Sequence, residues 1–306
     1  MSDPLPGILS SLRRNREIPP KYFYFGDGAR NWDRYSRDKN YSLGKSEERL
    51  LVRSLPEIFE AIGSGPIQVI DLGPGTGVKA GLILKTGPAH GWSATYAALD
   101  ISEDILELVR KNSRSLFPRV KTRFFLVDFE ERSLRPILGD LRARSRRTGV
   151  ILLLGSGNVT NKSRVLRHIR AGMSFSDFFL ISAELLRSGD VGRILKHYAR
   201  KESQNVVFFG LKSLGVRESD GHFVIGFERR KEQAEVSFVL DRSVTVGSAE
   251  RLRLKKGTKV LLFTSHKPTA GSLRRHLETS GFDIVRFLTD EKGSLALVLC
   301  RKRRSR

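Results

Sequence analysis

The chain has 306 residues, of which 39% are hydrophobic and 29% charged, a mix that suits one large domain or a core domain with a smaller second one. Its one cysteine, Cys300, excludes an intrachain disulfide framework and a zinc cluster built on cysteines. No apolar run approaches the roughly 20 residues that span a bilayer, and the N-terminus lacks a signal-peptide core, so we expect a cytoplasmic protein with no membrane partner.

Lysine and arginine outnumber the acidic residues by 55 to 33, which gives a formal net charge of +22. A charge this large favours affinity for polyanions, nucleic acid above all, and the run RKRRSR at the end could contact nucleic acid non-specifically. The alternative is a generally basic surface that carries no information about a partner. No RNA-recognition motif accompanies the basic runs, and no aromatic residues interleave with them to stack on bases.

The predicted elements divide the chain into four segments. Residues 1–64 form an aromatic and polar N-terminal segment that ends in a helix over residues 44–62. Residues 65–203 form a Rossmann-like core in which apolar strands alternate with amphipathic helices. Strands are predicted at residues 67–72, 93–101, 121–129, 149–156 and 177–185, and helices at 78–86, 102–112, 162–172 and 191–201. This alternation indicates parallel βαβ units with helices on both faces, a doubly wound α/β sheet.

The pattern changes to short, β-branched runs without a helical period over residues 204–264. We predict a smaller, β-rich domain inserted here, with strands at residues 206–211, 222–230, 234–240, 243–247 and 259–263. Residues 265–306 then read as a helix over 269–282, a strand hairpin over 283–302 that completes the core sheet, and a basic tail.

The first core strand leads into the turn DLGPGTGVK, residues 71–79. Gly73, Gly75 and Gly77 remove Cβ atoms where the backbone must bend sharply and a ligand must approach closely. In an α/β sheet, ligands bind outside the carboxyl ends of the strands, where such turns lie. The glycines alone are also compatible with a purely structural turn.

Two further acids end the next two predicted strands. Asp100 can accept two hydrogen bonds from a ribose diol, or it can cap the helix that follows, a role open to Ser102 as well. Asp128 can accept the exocyclic amine of adenine, with Phe129 against the ring, or it is a solvated acid at a strand end. Because three successive strand ends each offer a suitable group, a nucleoside ligand is favoured.

The spacing of the glycines and the acid before them select among nucleoside ligands. The turn lacks the G-x-G-x-x-G spacing that places a pyrophosphate on a helix N-terminus. Asp71 suits a ligand with a cationic amine and a sulfonium better than one with phosphates. The order of Asp71, the glycine turn, Asp100 and Asp128 resembles the nucleoside-binding pattern of class I methyltransferases. S-adenosylmethionine is the cofactor that this resemblance implies, and no metal site is expected.

A closer resemblance covers most of the chain, from about Tyr22 to Phe282. The segment YFYFGDGARNWDRYSRDKNYSLGKSEERLL resembles the N-terminal block of the histidine Nα-methyltransferase family of the ergothioneine pathway. The segments DLGPGTGVK, LDIS, VDF, LLLGSGNVTN, ISAELL and SHKPTAGSLRRHLETSGF match further family segments in order. The cofactor site predicted from both resemblances comprises Asp71, Gly73, Gly75, Gly77, Lys79, Asp100, Ser102, Asp128, Phe129, Gly155 and Ser156.

The family implies methyl transfer from S-adenosylmethionine to the α-amine of histidine, in a cleft between the core and the inserted domain, with the N-terminal segment on the substrate side. Tyr41, Tyr198 and an asparagine, Asn158 or Asn161, would hold the amine and the carboxylate of the amino acid. The alternative is that Tyr41 and Tyr198 are ordinary half-buried aromatics. Because methyl transfer to a deprotonated amine depends on positioning and desolvation, no catalytic acid or base is assigned.

The chain departs from the family at the part of the site that reads the imidazole. The family's E-x-S is FTS here, so Phe263 stands at the glutamate position and Ser265 is retained. Ser42 replaces the second tyrosine of a Tyr-Tyr pair, and Phe208-Phe209 replaces a Phe-Asn pair. Phe263 cannot accept the imidazole N–H, and a buried unpaired N–H costs about 1–3 kcal/mol.

We therefore predict an S-adenosylmethionine-dependent N-methyltransferase that acts on the amine of an amino acid, histidine-like or other, or on another small amine. Free histidine is disfavoured as the substrate, and an aromatic amino acid or an amine of a larger molecule fits equally well. One alternative is a nucleic-acid methyltransferase of the same fold, although LGSGN stands where an N/D-P-P-Y segment would be. The other is a non-catalytic binding protein that retains the fold.

Overall fold

The computed structural model describes residues 4–38, 41–247 and 251–304. The chain forms two compact units. The insert unit consists of Met1–Tyr35, Gly157–Thr160 and Leu186–Lys267, and the sheet unit of Ser36–Ser156, Asn161–Leu185 and Pro268–Arg306. The four-segment division of the chain stays a prediction.

Twelve strands and eleven α-helices are formed by the described residues. The strands are β1 (Gly65–Leu72), β2 (Trp92–Asp100), β3 (Lys121–Leu126), β4 (Thr148–Leu153), β5 (Phe178–Glu184), β6 (Gly221–Glu228), β7 (Gln233–Leu240), β8 (Val244–Val246), β9 (Leu252–Leu254), β10 (Lys259–His266), β11 (Phe282–Thr289) and β12 (Leu295–Lys302). The helices are α1 (Leu5–Asn15), α2 (Asp27–Arg37), α3 (Ser42–Ile62), α4 (Val78–Thr86), α5 (Glu103–Leu116), α6 (Arg135–Arg144), α7 (Lys162–Gly172), α8 (Val191–Tyr198), α9 (Lys201–Val207), α10 (Phe209–Ser213) and α11 (Ala270–Thr279).

The sheet unit is built on a seven-stranded sheet with the order β11-β12-β5-β4-β1-β2-β3. Strands β1 to β5 are mutually parallel, and β12 pairs antiparallel with both β5 and β11. Strands β1 and β4 are buried along most of their length, as expected for a parallel sheet covered on both faces. The predicted doubly wound α/β sheet and its antiparallel C-terminal hairpin are confirmed.

Helix α3 shows why the helices of this unit pack as they do. Its buried apolar residues recur three or four positions apart and form one stripe: Leu50, Leu51, Leu55, Ile58 and Phe59. The stripe packs against side chains of the central strands, including Val69 and Val150, and together they form one hydrophobic core. This packing holds the first turns of α3 in place, where a buried acid, Glu47, lies on the same stripe.

The insert unit contains two small antiparallel sheets, one with the order β10-β7-β6 and one of β8 and β9. Its core joins side chains of these strands to α1 and α8. A β-rich inserted part was predicted, and its four strands at residues 222–230, 234–240, 243–247 and 259–263 match β6, β7, β8 and β10.

The strand predicted at residues 206–211 is wrong, because this run is helical and lies in α9 and α10. The buried side chains here are Ser203, Val207, Leu211 and Leu214, a spacing of three to four that a helix satisfies. The β-branched and aromatic run Val206–Phe209 favours a strand locally, but the longer apolar period decides the outcome. Helices α1, α2 and α6 had no counterpart in the sequence prediction.

Within the described part of the chain, no helix is both long and apolar enough to cross a membrane.

Candidate active site at the carboxyl edge of the sheet

The glycine turn joins β1 to α4 with a backbone that only glycine adopts readily. Gly73, Gly75 and Gly77 have φ angles of +65°, +58° and +78°, all in the left-handed region. A Cβ on Gly73 would make an ordinary van der Waals contact with the Phe129 ring at 3.7 Å, so the backbone here is not crowded by a side chain. A Cβ on Gly77 would lie 2.8 Å from Val109 Cγ2 of α5. Gly73 therefore suits close approach of a ligand, whereas Gly77 lets two helices pack.

Asp71, the acid before the turn, is buried and accepts a hydrogen bond from the Tyr96 hydroxyl (3.0 Å). Burial raises the pKa of Asp71 to about 6, although the Tyr96 hydrogen bond and the Lys79 ammonium act in the opposite direction. The Asp71 carboxylate is thus held by Tyr96 within electrostatic range of Lys79.

Asp100 ends β2 at the same edge, and its side chain is oriented by the start of α5. The Ser102 backbone N–H donates to Asp100 Oδ1 (2.8 Å). Burial raises the pKa of Asp100 to about 7; hydrogen bonds from the Ser102 and Ile101 backbone oppose this shift, and the nearby carboxylates of Asp71 and Asp128 add to it. The Ser102 hydroxyl accepts from the Ile105 N–H (3.3 Å) and caps α5, so the helix cap does not depend on Asp100.

Asp128 and Phe129 follow β3 in a tight turn. Asp128 Oδ1 accepts from the Glu130 N–H (3.1 Å), and its carbonyl oxygen accepts from the Arg132 N–H (2.8 Å). The Phe129 carbonyl lies 3.0 Å from His168 Nδ1 of α7, a hydrogen bond that fixes this turn. The Phe129 ring is the group that a Cβ on Gly73 would contact, so the turns after β1 and β3 lie next to each other.

The end of β4 carries Gly155, whose φ of +77° again requires glycine. Its N–H donates to Glu47 Oε1 (2.8 Å) and to the Ser182 hydroxyl (2.7 Å). Ser156 begins a short 3-10 turn, and its side chain lies outside the described part of the structure.

Glu47 is a site residue that the sequence analysis missed. Its carboxylate accepts from Lys79 Nζ (2.5 Å), from the Gly155 N–H and from the Ser182 hydroxyl. One side chain of α3 thus ties the lysine of the glycine turn to the ends of β4 and β5. The available signal was a charged residue on the buried stripe of an amphipathic helix, where an unpaired charge is costly.

Four of the predicted substrate residues belong to the insert unit: Asn158, Tyr198, Phe263 and Ser265. The ring of Tyr198 lies 5.4 Å from that of Phe263, and Phe263 stacks on Phe23 at 6.4 Å. Ser265 is buried, and a Cβ on Gly157 would lie 2.9 Å from its hydroxyl.

The two candidate asparagines have different surroundings. Asn158 Nδ2 donates to the Tyr24 hydroxyl (2.8 Å) within the insert unit. Asn161 belongs to the sheet unit, where its side-chain oxygen accepts from the Arg164 N–H (3.0 Å) and caps α7. Because that cap occupies the Asn161 side chain, Asn158 is the better candidate for substrate contact.

Tyr41 also belongs to the sheet unit, at the N-terminus of α3. Its ring packs on the first turn of the helix, since a Cβ on Gly44 would lie 2.5 Å from Tyr41 Cε1. Among the described residues, no group of three or more histidine, cysteine, aspartate or glutamate side chains is placed to hold a metal ion.

The acids and the glycine turn at the carboxyl edge of the sheet fit S-adenosylmethionine. Three acids at the ends of β1, β2 and the turn after β3 favour a cationic ligand, and a carboxylate, which has two acceptor oxygens, is the group that suits a diol. Gly73 presents backbone without a Cβ beside the Phe129 ring, which allows close approach of a ligand. A phosphate-bearing cofactor would be repelled by the same acids.

Comparison with known proteins agrees with this geometry. The chain matches the family described as "Histidine-specific methyltransferase, SAM-dependent" over residues 5–302. It is 23% identical to the histidine N-alpha-methyltransferase of Mycobacterium tuberculosis (strain CDC 1551 / Oshkosh), over 96% of this chain and 94% of that protein. It is 29% identical to the 4-dimethylallyltryptophan N-methyltransferase easF of Claviceps purpurea (strain 20.1), over 33% of this chain and 30% of that protein.

Among solved structures, the apo form of the S-adenosylmethionine-dependent methyltransferase SibL aligns with a TM-score of 0.50 and 14% identity, over 98% of this chain and 74% of that one. This likeness shows the fold alone. The predicted fold class, cofactor and family are confirmed, and the chain belongs to the SAM-dependent histidine-specific methyltransferase family.

Proposed function

We propose that the protein methylates the α-amine of an amino acid whose side chain is aromatic and larger or less polar than imidazole. The observation that carries this proposal is the aromatic group of Phe23, Tyr198 and Phe263 in the insert unit. Phe263 offers an apolar ring at a position where reading an imidazole N–H would need an acceptor. An aromatic side chain can stack on such rings at a gain of about 0.5–1.5 kcal/mol beyond its area burial.

The polar side chains of the same unit can orient the backbone end of such a substrate. Asn158 and Tyr24 share a hydrogen bond, and an amide and a phenol are groups that can bind an amine or a carboxylate. Lys267 is buried, and its ammonium lies 5.6 Å from the centre of the Tyr198 ring. This contact braces the tyrosine whose ring meets Phe263.

Bound S-adenosylmethionine supplies an electrophilic methyl group, so the protein needs to hold a neutral amine in line with it. Asp100 and Asp128 are proposed to hold the ribose and the adenine, and Tyr198 with Asn158 to hold the amino acid. These residues act by positioning and by excluding water. Because the attacking amine must be deprotonated, we expect the rate to rise with pH until the amine is neutral.

The relatives support this reading in two ways. The relative from Mycobacterium tuberculosis is named for the Nα position of histidine, which supports an α-amine as the acceptor. The relative from Claviceps purpurea is named for a substituted tryptophan, which supports an aromatic acceptor larger than imidazole.

The proposal is tested by methyl transfer from labelled S-adenosylmethionine to separate amino acids. We expect tryptophan, tyrosine or phenylalanine to be labelled more efficiently than histidine, with the product carrying the methyl group on its α-nitrogen. Labelling of histidine alone would contradict the proposed substrate class. If no amino acid or small amine is labelled while S-adenosylmethionine still binds, the proposed acceptor is wrong altogether.

Phe263→Glu is the matching gain-of-function variant. It restores an acceptor for an imidazole N–H, so kcat/KM for histidine should rise relative to the aromatic amino acid by about 5- to 100-fold, the equivalent of about 1–3 kcal/mol. Phe223→Glu, on β6 of the insert unit, is the control, because it also adds an acid to the aromatic core of that unit. An unchanged preference in Phe263→Glu would show that Phe263 does not face the substrate.

A further inference from the structure

We propose that the sheet unit carries a second, non-catalytic surface that binds single-stranded nucleic acid. This basic surface consists of Phe175, Arg142, Arg170, Lys302 and Arg304. It lies at the amino ends of β4 and β5, which is the opposite edge of the sheet from the acids of the cofactor site. The inference is independent of the proposed amino-acid substrate.

The topology of the sheet brings the aromatic residue to the basic run. Strand β12 is antiparallel to β5, so Arg301 pairs with Phe178, the first residue of β5. Phe175 lies in the loop just before that strand and is 50% exposed. Lys302 Nζ lies 5.3 Å and Arg304 Cζ 5.8 Å from the centre of its ring. In the sequence these residues are far apart, which is why no interleaved aromatic was evident there.

The cations of this surface exceed the negative charge that faces them. Burial lowers the pKa of Lys302, and Arg170, Arg142 and Arg135 lower it further, with Asp177 alone acting against them among the groups that affect it. The Asp177 carboxylate is already used, because it accepts from Arg142 Nη1 (3.0 Å), the Gly149 N–H (2.9 Å) and the Ser174 N–H (2.7 Å). The surface is therefore short of anions.

Arg170 carries a hydrogen-bond donor that has no acceptor. Its Nε is buried and has no hydrogen-bond partner in the described structure. The guanidinium packs against the turn before β11, where a Cβ on Gly281 would collide with Nε. A buried donor without an acceptor costs about 1–3 kcal/mol. Because Nε is buried, Arg170 contributes its positive charge to the basic surface and not a hydrogen bond from Nε.

The single exposed ring decides between nucleic acid and a lipid surface. The exposed large hydrophobic residues of the described chain are Val52, Leu126, Phe175 and Val224, and only Phe175 belongs to the basic surface. Membrane binding scales with the apolar area inserted, which one ring supplies poorly. One ring flanked by cations suits one unpaired base beside its phosphates. This assignment also accounts for part of the net charge of +22, which a small-molecule enzyme does not need.

The test measures binding of a fluorescently labelled single-stranded RNA of about 12 nucleotides by anisotropy, between about 50 and 200 mM salt. Phe175→Ala should weaken binding by about fivefold or more, as removal of one base stack does. The double variant Lys302→Gln/Arg304→Gln should reduce the salt slope by about 1.4, or about 0.7 for each phosphate that the protein no longer neutralises.

Two matched controls lie on the insert unit. Val224→Ala removes another exposed apolar side chain, and Arg229→Gln/Arg230→Gln removes two exposed cations at the β6–β7 turn. If the controls weaken RNA binding as much as the surface variants, the affinity is diffuse and the proposal is overturned. Absence of binding at about 150 mM salt overturns it too. Binding to vesicles of phosphatidylcholine and phosphatidylserine that depends on Phe175, with no RNA binding, would assign the surface to lipid instead.

Discussion

Replacement of Glu47 by glutamine tests how the carboxyl edge of the sheet is held together. The variant keeps the shape of the side chain and an acceptor oxygen, but it removes the charge that pairs with Lys79. The Glu47 side chain is 6% exposed and that of Lys79 is 25% exposed. Water can therefore solvate part of the Lys79 charge when the ion pair is removed. Breaking a fully buried pair costs about 3–5 kcal/mol, and we expect about 2–3 kcal/mol here because Lys79 is partly solvated.

The assay is chemical denaturation of Glu47→Gln beside Glu57→Gln, which removes an exposed acid from the same helix. The control should change the unfolding free energy by less than about 0.5 kcal/mol. Weaker S-adenosylmethionine binding should accompany the loss of stability in Glu47→Gln, because Lys79 and Gly155 are both proposed to bind the cofactor. A double-mutant cycle with Lys79→Gln should give a coupling of at least about 1 kcal/mol. A coupling near zero would refute the idea that Glu47 holds Lys79.

Three further predictions concern the same edge. The raised pKa of Asp100, about 7, means that the folded state holds this proton more tightly than the unfolded state, whose value is near 3.8. The unfolding free energy of the apoprotein should therefore fall as pH rises through this window, and Asp100→Asn should flatten that part of the pH profile in denaturation experiments. Gly77→Ala should lower the unfolding free energy by about 2–4 kcal/mol from steric contact and a positive φ, whereas Gly189→Ala, with positive φ but open space, should cost about 1–2 kcal/mol. Tyr96→Phe should cost about 1–3 kcal/mol in thermal denaturation and raise the pKa of Asp71 further, and a neutral effect would show that the Tyr96 hydrogen bond is not needed.

The sequence was sufficient where the signal is local. Alternating apolar and amphipathic runs predicted the parallel strands, and the acids that end β1 and β2 were located because a carboxylate directly follows or ends each apolar run. The three glycines predicted a sharp bend of the backbone, and each has a positive φ. These features depend on neighbours within a few residues.

What the sequence could not supply depends on pairs that are distant along the chain. The partner of Gly155 in the site, Glu47, is 108 positions away. Asn158 and Asn161 look equivalent in sequence, and the contacts that distinguish them, the bond from Asn158 to Tyr24 and the cap that Asn161 forms on α7, appear only in the structure. The helix at Val206–Phe209 was missed because the β-branched run is short and the packing stripe that decides it is longer.

The central claim, that the acids at the ends of β1 and β2 and the acid after β3 hold S-adenosylmethionine, is tested most directly by calorimetric titration of this compound into wild type and Asp100→Ala at about pH 8, where Asp100 is ionised. The account predicts one site per chain in the wild type and an affinity at least about tenfold weaker in the variant, since the charge-assisted hydrogen bonds to a diol are removed. Equal affinity in the two proteins would contradict it.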